Sequence, residues 1–221
     1  MKSKKTVPDR AVLWIYDTAQ LYGVQKAVNE QFGESKTTTN YQQLGVVLSE
    51  RTAEHGADHP DLIYAPVALD PRSEAQRRFT DALRGMGVYP DGIDYRHTFV
   101  SNPGGVHGER PDRPISTLAP WIVHAIGLMS RHESPIVVLV SGSFEPYYPL
   151  VDFVSKRGGK AYVAFFRRYL DVRWGQFTNL LDGESPIGWL DLEPQAPRIL
   201  GVDLVSAGQS SGPSSGLSAI L

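Results

Sequence analysis

The sequence predicts an α/β protein, a three-layer α/β/α sandwich around a mainly parallel central sheet. Short apolar segments rich in β-branched residues alternate along the chain with segments of helical periodicity, an order typical of parallel sheets covered by helices. The apolar segments are hydrophobic throughout rather than at every second residue, which indicates strands buried on both faces. With 221 residues, the chain is long enough for one sizeable domain of this kind.

Six segments are predicted to be strands because each is short, apolar and bounded by polar residues. The best supported are Ala11–Tyr16, Pro135–Ser141 and Lys160–Phe166. The others are Leu62–Leu69, Ile93–Val100 and an edge strand at Ile187–Leu192.

Five segments between the strands are predicted to be helices because their apolar residues recur at helical spacing. They are Gln20–Phe32, Tyr41–His55, Ser73–Met86, Ser116–Arg131 and Pro149–Lys156. The helix at Ser73–Met86 has the clearest boundaries, since Pro71 precedes it and Gly87 follows it.

The chain divides into one domain and two terminal segments. Residues 1–10 are predicted to be a disordered basic N-terminus, residues 11–205 the folded domain, and residues 206–221 a low-complexity tail. Within the domain, residues 101–113 combine glycines, prolines and charges without periodicity, and this predicts a mobile loop.

Composition excludes several classes of function. The formal net charge of −2 at pH 7 is not that of a protein that coats nucleic acid. The absence of cysteine excludes disulfides, thiolate zinc sites and cysteine nucleophiles. No apolar run reaches the ~18 residues of a membrane helix, and the N-terminus lacks the features of a signal peptide. We therefore expect a cytoplasmic protein that makes no membrane contact.

The candidate site lies where two predicted strands end. Ligands of parallel α/β sheets bind outside the carboxyl ends of the strands, where the strand order reverses. Asp17 follows the first strand and Glu145 follows the strand at residues 135–141, so the two face one another if these strands are neighbours. A second interpretation stays open for each: Asp17 as a helix N-cap, and Glu145 as a solvated loop carboxylate.

Three segments resemble the NYN branch of the PIN-like nucleases, over residues 11–180. AVLWIYDTAQLYG at residues 11–23 is similar to the opening strand of that family and the acid that follows it. PIVVLVSGSFEPYYPLVDFVSKRGGKAYVAFF at residues 135–166 resembles its strand ending in Ser-Gly-Asp-x-Asp-Phe, with the Pro-Leu step and glycine turn that follow. LDPRSEAQRRFTDALRGMGVYPDG at residues 69–92 lies where the family has a strand end and a helix. The resemblance implies the α/β/α sandwich described above.

The resemblance also implies a cluster of acids that holds Mg²⁺ or Mn²⁺ and activates water against an RNA phosphodiester, but most of these acids are absent here. Asp17 keeps the first acid, and Gln20 stands where the family has Asn. Ser116 and Ser143 replace two further acids, while Glu145 stands for a third. Because each lost acid weakens divalent-ion binding, we expect Asp17 and Glu145 to hold Mg²⁺ or Mn²⁺ only weakly.

The remaining polar residues of the candidate site predict substrate contacts. Gln20, Ser116, Ser141, Ser143 and Tyr147 are the expected substrate-binding residues, and Asp17 and Glu145 are the expected catalytic acids. Uncharged serines in place of acids suit a pocket that hydrogen-bonds a phosphate or another group, because they remove charge repulsion. Tyr147 stands next to Tyr148, and both are candidates for stacking on bases.

Basic residues cluster in three places, each interpreted either as a solvated helix face or as a phosphate-contacting surface. The clusters are Arg72, Arg77, Arg78 and Arg84; Lys156, Arg157 and Lys160; and Arg167, Arg168 and Arg173.

Three hypotheses for function follow. The first is a divergent NYN-type domain that binds RNA, a protein partner or a second copy of itself, with nuclease activity lost or reduced. The second is an active metal-dependent ribonuclease, in which Asp94 or Asp171 assists Asp17 and Glu145. The third is an interaction scaffold without a nucleic-acid role, which engages its partner through the tail and residues 101–113. A dinucleotide site and a serine hydrolase have no support, since neither Gly-x-Gly-x-x-Gly nor Gly-x-Ser-x-Gly stands at the end of a predicted strand.

Overall fold

The structure, a computed structural model, describes residues 10–32, 37–69, 73–94, 115–176 and 187–204. Six strands form one parallel sheet in the order β3-β2-β1-β4-β5-β6. The strands are β1 (Val12–Tyr16), β2 (Leu62–Leu69), β3 (Val88–Asp94), β4 (Ile136–Val140), β5 (Lys160–Phe165) and β6 (Ile187–Asp191). The predicted α/β/α sandwich is confirmed.

In the described part of the chain, six helices connect and follow the strands. They are α1 (Thr18–Phe32), α2 (Tyr41–Thr52), α3 (Glu74–Gly85), α4 (Ile115–Met129), α5 (Tyr148–Lys156) and α6 (Ala196–Leu200). Short 3₁₀ turns occur at Ala53–His55, Arg167–Tyr169, Val172–Gln176 and Glu193–Gln195. Among the described residues, no helix is long and apolar enough to cross a membrane.

Two hydrophobic cores sandwich the sheet. On one face, alternate β1 residues such as Trp14 pack with α1, α2, α3 and α6. On the other face, the intervening residues, Leu13 among them, pack with α4 and α5. Every residue of β1 and β4 is buried. The uninterrupted apolar sequence of these strands therefore follows from helices that cover both faces of the sheet.

One predicted strand is misplaced along the sequence. The prediction put it at Ile93–Val100, whereas β3 spans Val88–Asp94 and residues 95–100 lie outside the described part of the chain. Pro90 and Gly92, both typical of turns, lie within β3. Because β3 is an edge strand, a proline is tolerated there.

Other expectations fall on undescribed residues. The basic N-terminus up to residue 9, the loop at residues 101–113 and the tail at residues 206–221 all lie outside the described ranges.

The strand order reverses between β1 and β4. From β1 the chain moves to β2 and β3 on one side, and from β4 to β5 and β6 on the other. The pairing of β1 with β4 runs from Val12 opposite Ile136 to Tyr16 opposite Val140, so these two strands end at the same level. The residues that follow them, Asp17 and Ser141, therefore flank the topological switch point of the sheet.

Candidate functional site

Asp17 and Ser141 are in direct contact at the switch point. The Asp17 backbone N–H donates to the Val140 carbonyl at 3.1 Å, which extends the sheet pairing by one residue. The Ser141 hydroxyl then donates to Asp17 Oδ2 at 2.8 Å. These two side chains are 124 residues apart in sequence, and the parallel pairing of β1 with β4 brings them together.

Asp17 caps the first helix. Its Oδ1 accepts a hydrogen bond from the Gln20 backbone N–H at 3.1 Å, and its carbonyl accepts from the Leu21 N–H at 3.0 Å. Asp, Ser, Thr and Asn side chains stabilise helices in this way by satisfying the exposed amides of the first turn. The N-cap interpretation of Asp17 is therefore confirmed.

The Asp17 carboxylate is buried and surrounded by donors. It is 5% exposed, and besides Ser141 and Gln20 it interacts with the Ala19 amide and the Tyr147 side chain. Tyr147 is fully buried, and its hydroxyl interacts with the same carboxylate and lowers the pKa of Asp17. Since a carboxylate has about four acceptor sites, these donors leave it little capacity to ligate a metal ion.

Burial and hydrogen bonding act on Asp17 in opposite directions. Burial raises the pKa of the Asp17 carboxyl, and the hydrogen bonds from Ser141, Gln20, Tyr147 and Ala19 lower it. Burial prevails, so the pKa of Asp17 lies above the ordinary value of an aspartate. The carboxyl therefore keeps its proton to a higher pH than an exposed aspartate does.

Two tyrosines respond to the charge of Asp17. Burial, followed by the nearby negative charge of Asp17, raises the pKa of the Tyr147 phenol well above its usual value. The same two causes raise the pKa of Tyr41, the first residue of α2. Both phenols therefore remain protonated at neutral pH and act as donors. Tyr41 was not predicted for this site, since no local pattern in the sequence indicates its proximity to Asp17.

The β4 loop, residues 141–147, is packed tightly against the chain that follows β5. A Cβ on Gly142 would lie 2.4 Å from the Tyr169 carbonyl oxygen and 2.7 Å from Phe165 Cε1. The Gly142 carbonyl accepts from the Asp171 N–H at 2.9 Å. Within the loop, the Ser143 N–H donates to the Ser141 hydroxyl at 3.1 Å. Only glycine fits at position 142.

Glu145 forms its ion pair away from Asp17. Its Oε1 accepts from Arg173 Nη1 at 2.5 Å, and its side chain is 67% exposed. Arg173 also pairs with Asp171 at 2.6 Å and lies over the Phe144 ring, 5.2 Å from its centroid. The hydrogen bond from Arg173 lowers the pKa of Asp171. No hydrogen bond or ion pair joins Glu145 to Asp17 among the described residues.

The structure thus gathers only part of the predicted site. Ser141 and Tyr147 both interact with the Asp17 side chain, and Gln20 joins them through its backbone. Ser143 joins them through Ser141. Ser116 lies in the first turn of α4, and its side chain is outside the described part of the structure, as is that of Asp94.

No cluster suited to a metal ion is found in the described residues. Nowhere in the described ranges do three or more His, Cys, Asp or Glu side chains come together as metal ligands would. The assignment of Mg²⁺ or Mn²⁺ to Asp17 and Glu145 stays a prediction, and the hydrogen bonds of Asp17 and the ion pair of Glu145 do not favour it.

The arginines near the carboxyl ends of the strands are already paired with carboxylates. Arg167 pairs with Asp191 at 2.9 Å, and Arg168 pairs with Glu193 at 2.6 Å. Arg173 is shared between two acids as described above. In the other two clusters, ion pairs join Arg78 to Glu74, Arg84 to Asp81, and Lys156 to Asp152. For the residues in these pairs, the contacts favour a solvated, ion-paired surface over a phosphate-contacting surface.

Comparisons with known proteins give the fold alone. No family model matches the chain, and no curated protein matches it. The chain is similar to the crystal structure of a protein of unknown function from Vibrio parahaemolyticus, with a TM-score of 0.56 and 16% sequence identity, over 86% of this chain and 95% of that one. The resemblance to NYN domains therefore stays a prediction.

Proposed function

We propose that this protein is a divergent NYN-type domain that acts by binding a partner, with the metal-dependent hydrolysis of RNA lost or much reduced. The observation that carries the proposal is the environment of Asp17. Its carboxylate is 5% exposed, caps α1 and accepts from Ser141. A hydrolytic Mg²⁺ site needs several accessible oxygen ligands with negative charge. The carboxylate oxygens of Asp17 instead accept hydrogen bonds from the protein.

The second acid supports the same conclusion. Glu145 forms an ion pair with Arg173, with 2.5 Å between Oε1 and Nη1. Arg173 also forms an ion pair with Asp171. A metal ion at Glu145 would have to displace a guanidinium that is held by two carboxylates and by the face of Phe144. Asp171, one of the acids expected to assist catalysis, is engaged by the same arginine.

Between the two ligands that we expect, RNA and a protein partner, the charges favour a protein partner. Each arginine described after β5 already has a carboxylate partner. A phosphate would therefore compete with an intramolecular carboxylate for each guanidinium, and most of the affinity of non-specific nucleic-acid binding comes from phosphate contacts. We further propose that the protein acts in the cytoplasm.

The hydrolysis part of the proposal is tested with labelled single-stranded and structured RNA. The purified protein is incubated with Mn²⁺, with Mg²⁺ and with EDTA, alongside the variant Asp17→Asn. We expect no metal-dependent cleavage by either protein. Cleavage that requires metal and disappears in Asp17→Asn would overturn the proposal and establish an active ribonuclease.

The ligand part is tested by fluorescence anisotropy with a labelled single-stranded RNA over a salt series. Because the described arginines of this edge are paired, we expect binding no tighter than the roughly 10⁻⁴–10⁻⁶ M of non-specific complexes. Tight binding that falls steeply with salt would make RNA the ligand and refute the preference for a protein partner. Light scattering after size-exclusion chromatography tests whether a second copy of this chain is that partner.

A further inference from the structure

A cavity separate from the Asp17 carboxylate lies between α2 and the sheet. Its volume is about 170 Å³, and it is bounded by the first half of α2, by Ile63 of β2, by Val88 of β3 and by Met86 at the end of α3. Apolar cavities of about 150 Å³ are large enough to hold benzene. The cavity is therefore of a size to hold one six-membered ring and its substituents.

One wall of the cavity carries a buried hydroxyl group. Tyr16 is 1% exposed and lines the cavity, and its hydroxyl makes no hydrogen bond with any other described residue. This hydroxyl is open to the cavity and can donate to a molecule placed there. A ligand that brings an acceptor atom to this hydroxyl would therefore be bound in preference to one without.

Two more polar side chains face the cavity beside Tyr16. Tyr41 contributes a second phenol, with its ring centroid 6.2 Å from that of Tyr16, and Gln42 contributes a carboxamide. Burial raises the pKa of Tyr16 and of Tyr41, so both phenols keep their protons as donors. No acidic or basic side chain is among the described residues of the cavity wall, and an unpaired charged ligand would lose its hydration there without compensation.

A glycine keeps the cavity open. Gly45 stands in the middle of α2 and lines the cavity, although glycine is among the poorest helix-forming residues. A Cβ at this position would lie 3.6 Å from the Tyr16 hydroxyl. Alanine is therefore tolerated, while a longer side chain would occupy the space in front of Tyr16.

We propose that this cavity binds a neutral molecule with a single planar ring and a hydrogen-bond acceptor, such as a ring carbonyl or an attached carboxamide. The acceptor pairs with the Tyr16 hydroxyl, the ring packs on the apolar wall formed by Ile63, Met86 and Val88, and Gln42 completes the polar rim. This binding needs neither RNA nor a protein partner, and so it does not depend on the function proposed above.

The experiment is a titration of the isotope-labelled full-length protein followed by amide chemical shifts. The probes are nicotinamide and uracil, with benzene as a ring that has no acceptor and benzoate as a charged ring. We expect nicotinamide or uracil to give saturable shifts in α2 and β1, benzene to bind more weakly, and benzoate to give none there. Absence of saturable shifts in α2 with both acceptor probes would overturn the proposal.

Two variants locate the site. Tyr16→Phe removes only the hydroxyl. We expect it to weaken the binding of the better acceptor probe about fivefold, the equivalent of one ordinary hydrogen bond, and to leave the affinity for benzene unchanged. Gly45→Leu fills the cavity, and we expect it to abolish binding. Its matched control is Gly127→Leu in α4, where a Cβ meets nothing within 4 Å.

Certain results with the same two variants would refute the proposal. Binding of the acceptor probe by Gly45→Leu at the wild-type affinity would place the ligand elsewhere and refute it. Should Gly45→Leu fail to fold, Tyr16→Phe decides, since equal affinities of that variant and the wild type would exclude the hydroxyl as the recognition group.

Discussion

Replacing Ser141 by alanine is predicted to destabilise the protein through Asp17. The Ser141 hydroxyl donates to the Asp17 carboxylate at 2.8 Å and accepts from the Ser143 N–H at 3.1 Å. Hydrogen bonds to a charged group contribute about 1.5–3 kcal/mol, and an ordinary one about 1 kcal/mol. With Asp17 ionised, we expect Ser141→Ala to lower the free energy of unfolding by about 2.5–4 kcal/mol.

The destabilisation caused by Ser141→Ala should depend on pH. The lost hydrogen bond is one of those that lower the pKa of Asp17, so the substitution raises this pKa further in the folded state. Stability then falls further as pH rises from the unfolded-state pKa of Asp17 to its raised folded-state value, by about 1.4 kcal/mol in total for each unit of additional shift. The free-energy difference between variant and wild type is therefore smallest in acid and largest where Asp17 is ionised.

The assay is urea unfolding followed by tryptophan fluorescence, over a pH series that begins in acid, where Asp17 is protonated, and ends where it is ionised. Ser155→Ala is the matched control, because among the described residues the Ser155 hydroxyl bonds only the Val151 carbonyl of its own helix, at 2.9 Å. We expect that control to change stability by less than about 0.5 kcal/mol at every pH. A Ser141→Ala variant that behaves like the control would show that the Asp17 carboxylate is not held by Ser141 and is available to a metal ion.

Three other substitutions have defined outcomes. Asp17→Asn removes a buried carboxyl group whose pKa is raised. Wild-type stability should fall as pH rises through that pKa, whereas the stability of the variant should not, as measured by urea unfolding. Gly142→Ala places a Cβ 2.4 Å from the Tyr169 carbonyl oxygen and should cost about 1–3 kcal/mol, measured by thermal unfolding. Glu145→Gln removes an exposed ion pair with Arg173 and should change stability by less than about 1 kcal/mol in the same assay.

Each of these outcomes has a control or a contrary result. A parallel pH dependence of Asp17→Asn and the wild type would show that Asp17 titrates normally. Gly127→Ala is the control for Gly142→Ala, since its Cβ meets nothing within 4 Å, and equal effects of the two substitutions would contradict the packing argument. A loss of several kcal/mol on Glu145→Gln would show that its ion pair is far more than a surface contact.

The sequence was sufficient for the fold because the strands that matter are apolar without interruption. The helices α2 and α3 were also predictable, and each begins at a side-chain cap, Asn40 and Ser73. The strand β3 was misplaced because its pairing with β2 outweighs the turn-forming tendency of Pro90 and Gly92. The helix α6 has only five residues, too few for a periodic pattern to be recognised.

The site was less predictable, since its contacts join distant parts of the chain. The end of β1 indicated Asp17, and its role as a cap follows from local sequence. The pairing of Glu145 with Arg173 spans 28 residues and depends on how the β4 loop packs on the chain after β5. Nothing in the sequence showed that Arg173 would take this acid away from the switch point, or that Tyr41 would lie near Asp17.

The tight fit at Gly142 has a mechanical consequence. The Gly142 carbonyl accepts a hydrogen bond from the Asp171 N–H. Glu145 and Asp171 both form ion pairs with Arg173. The β4 loop and the chain after β5 are therefore fastened at two points, one through the backbone and one through side chains. Because the packing at Gly142 leaves no slack, a displacement of the β4 loop must move the chain after β5 with it.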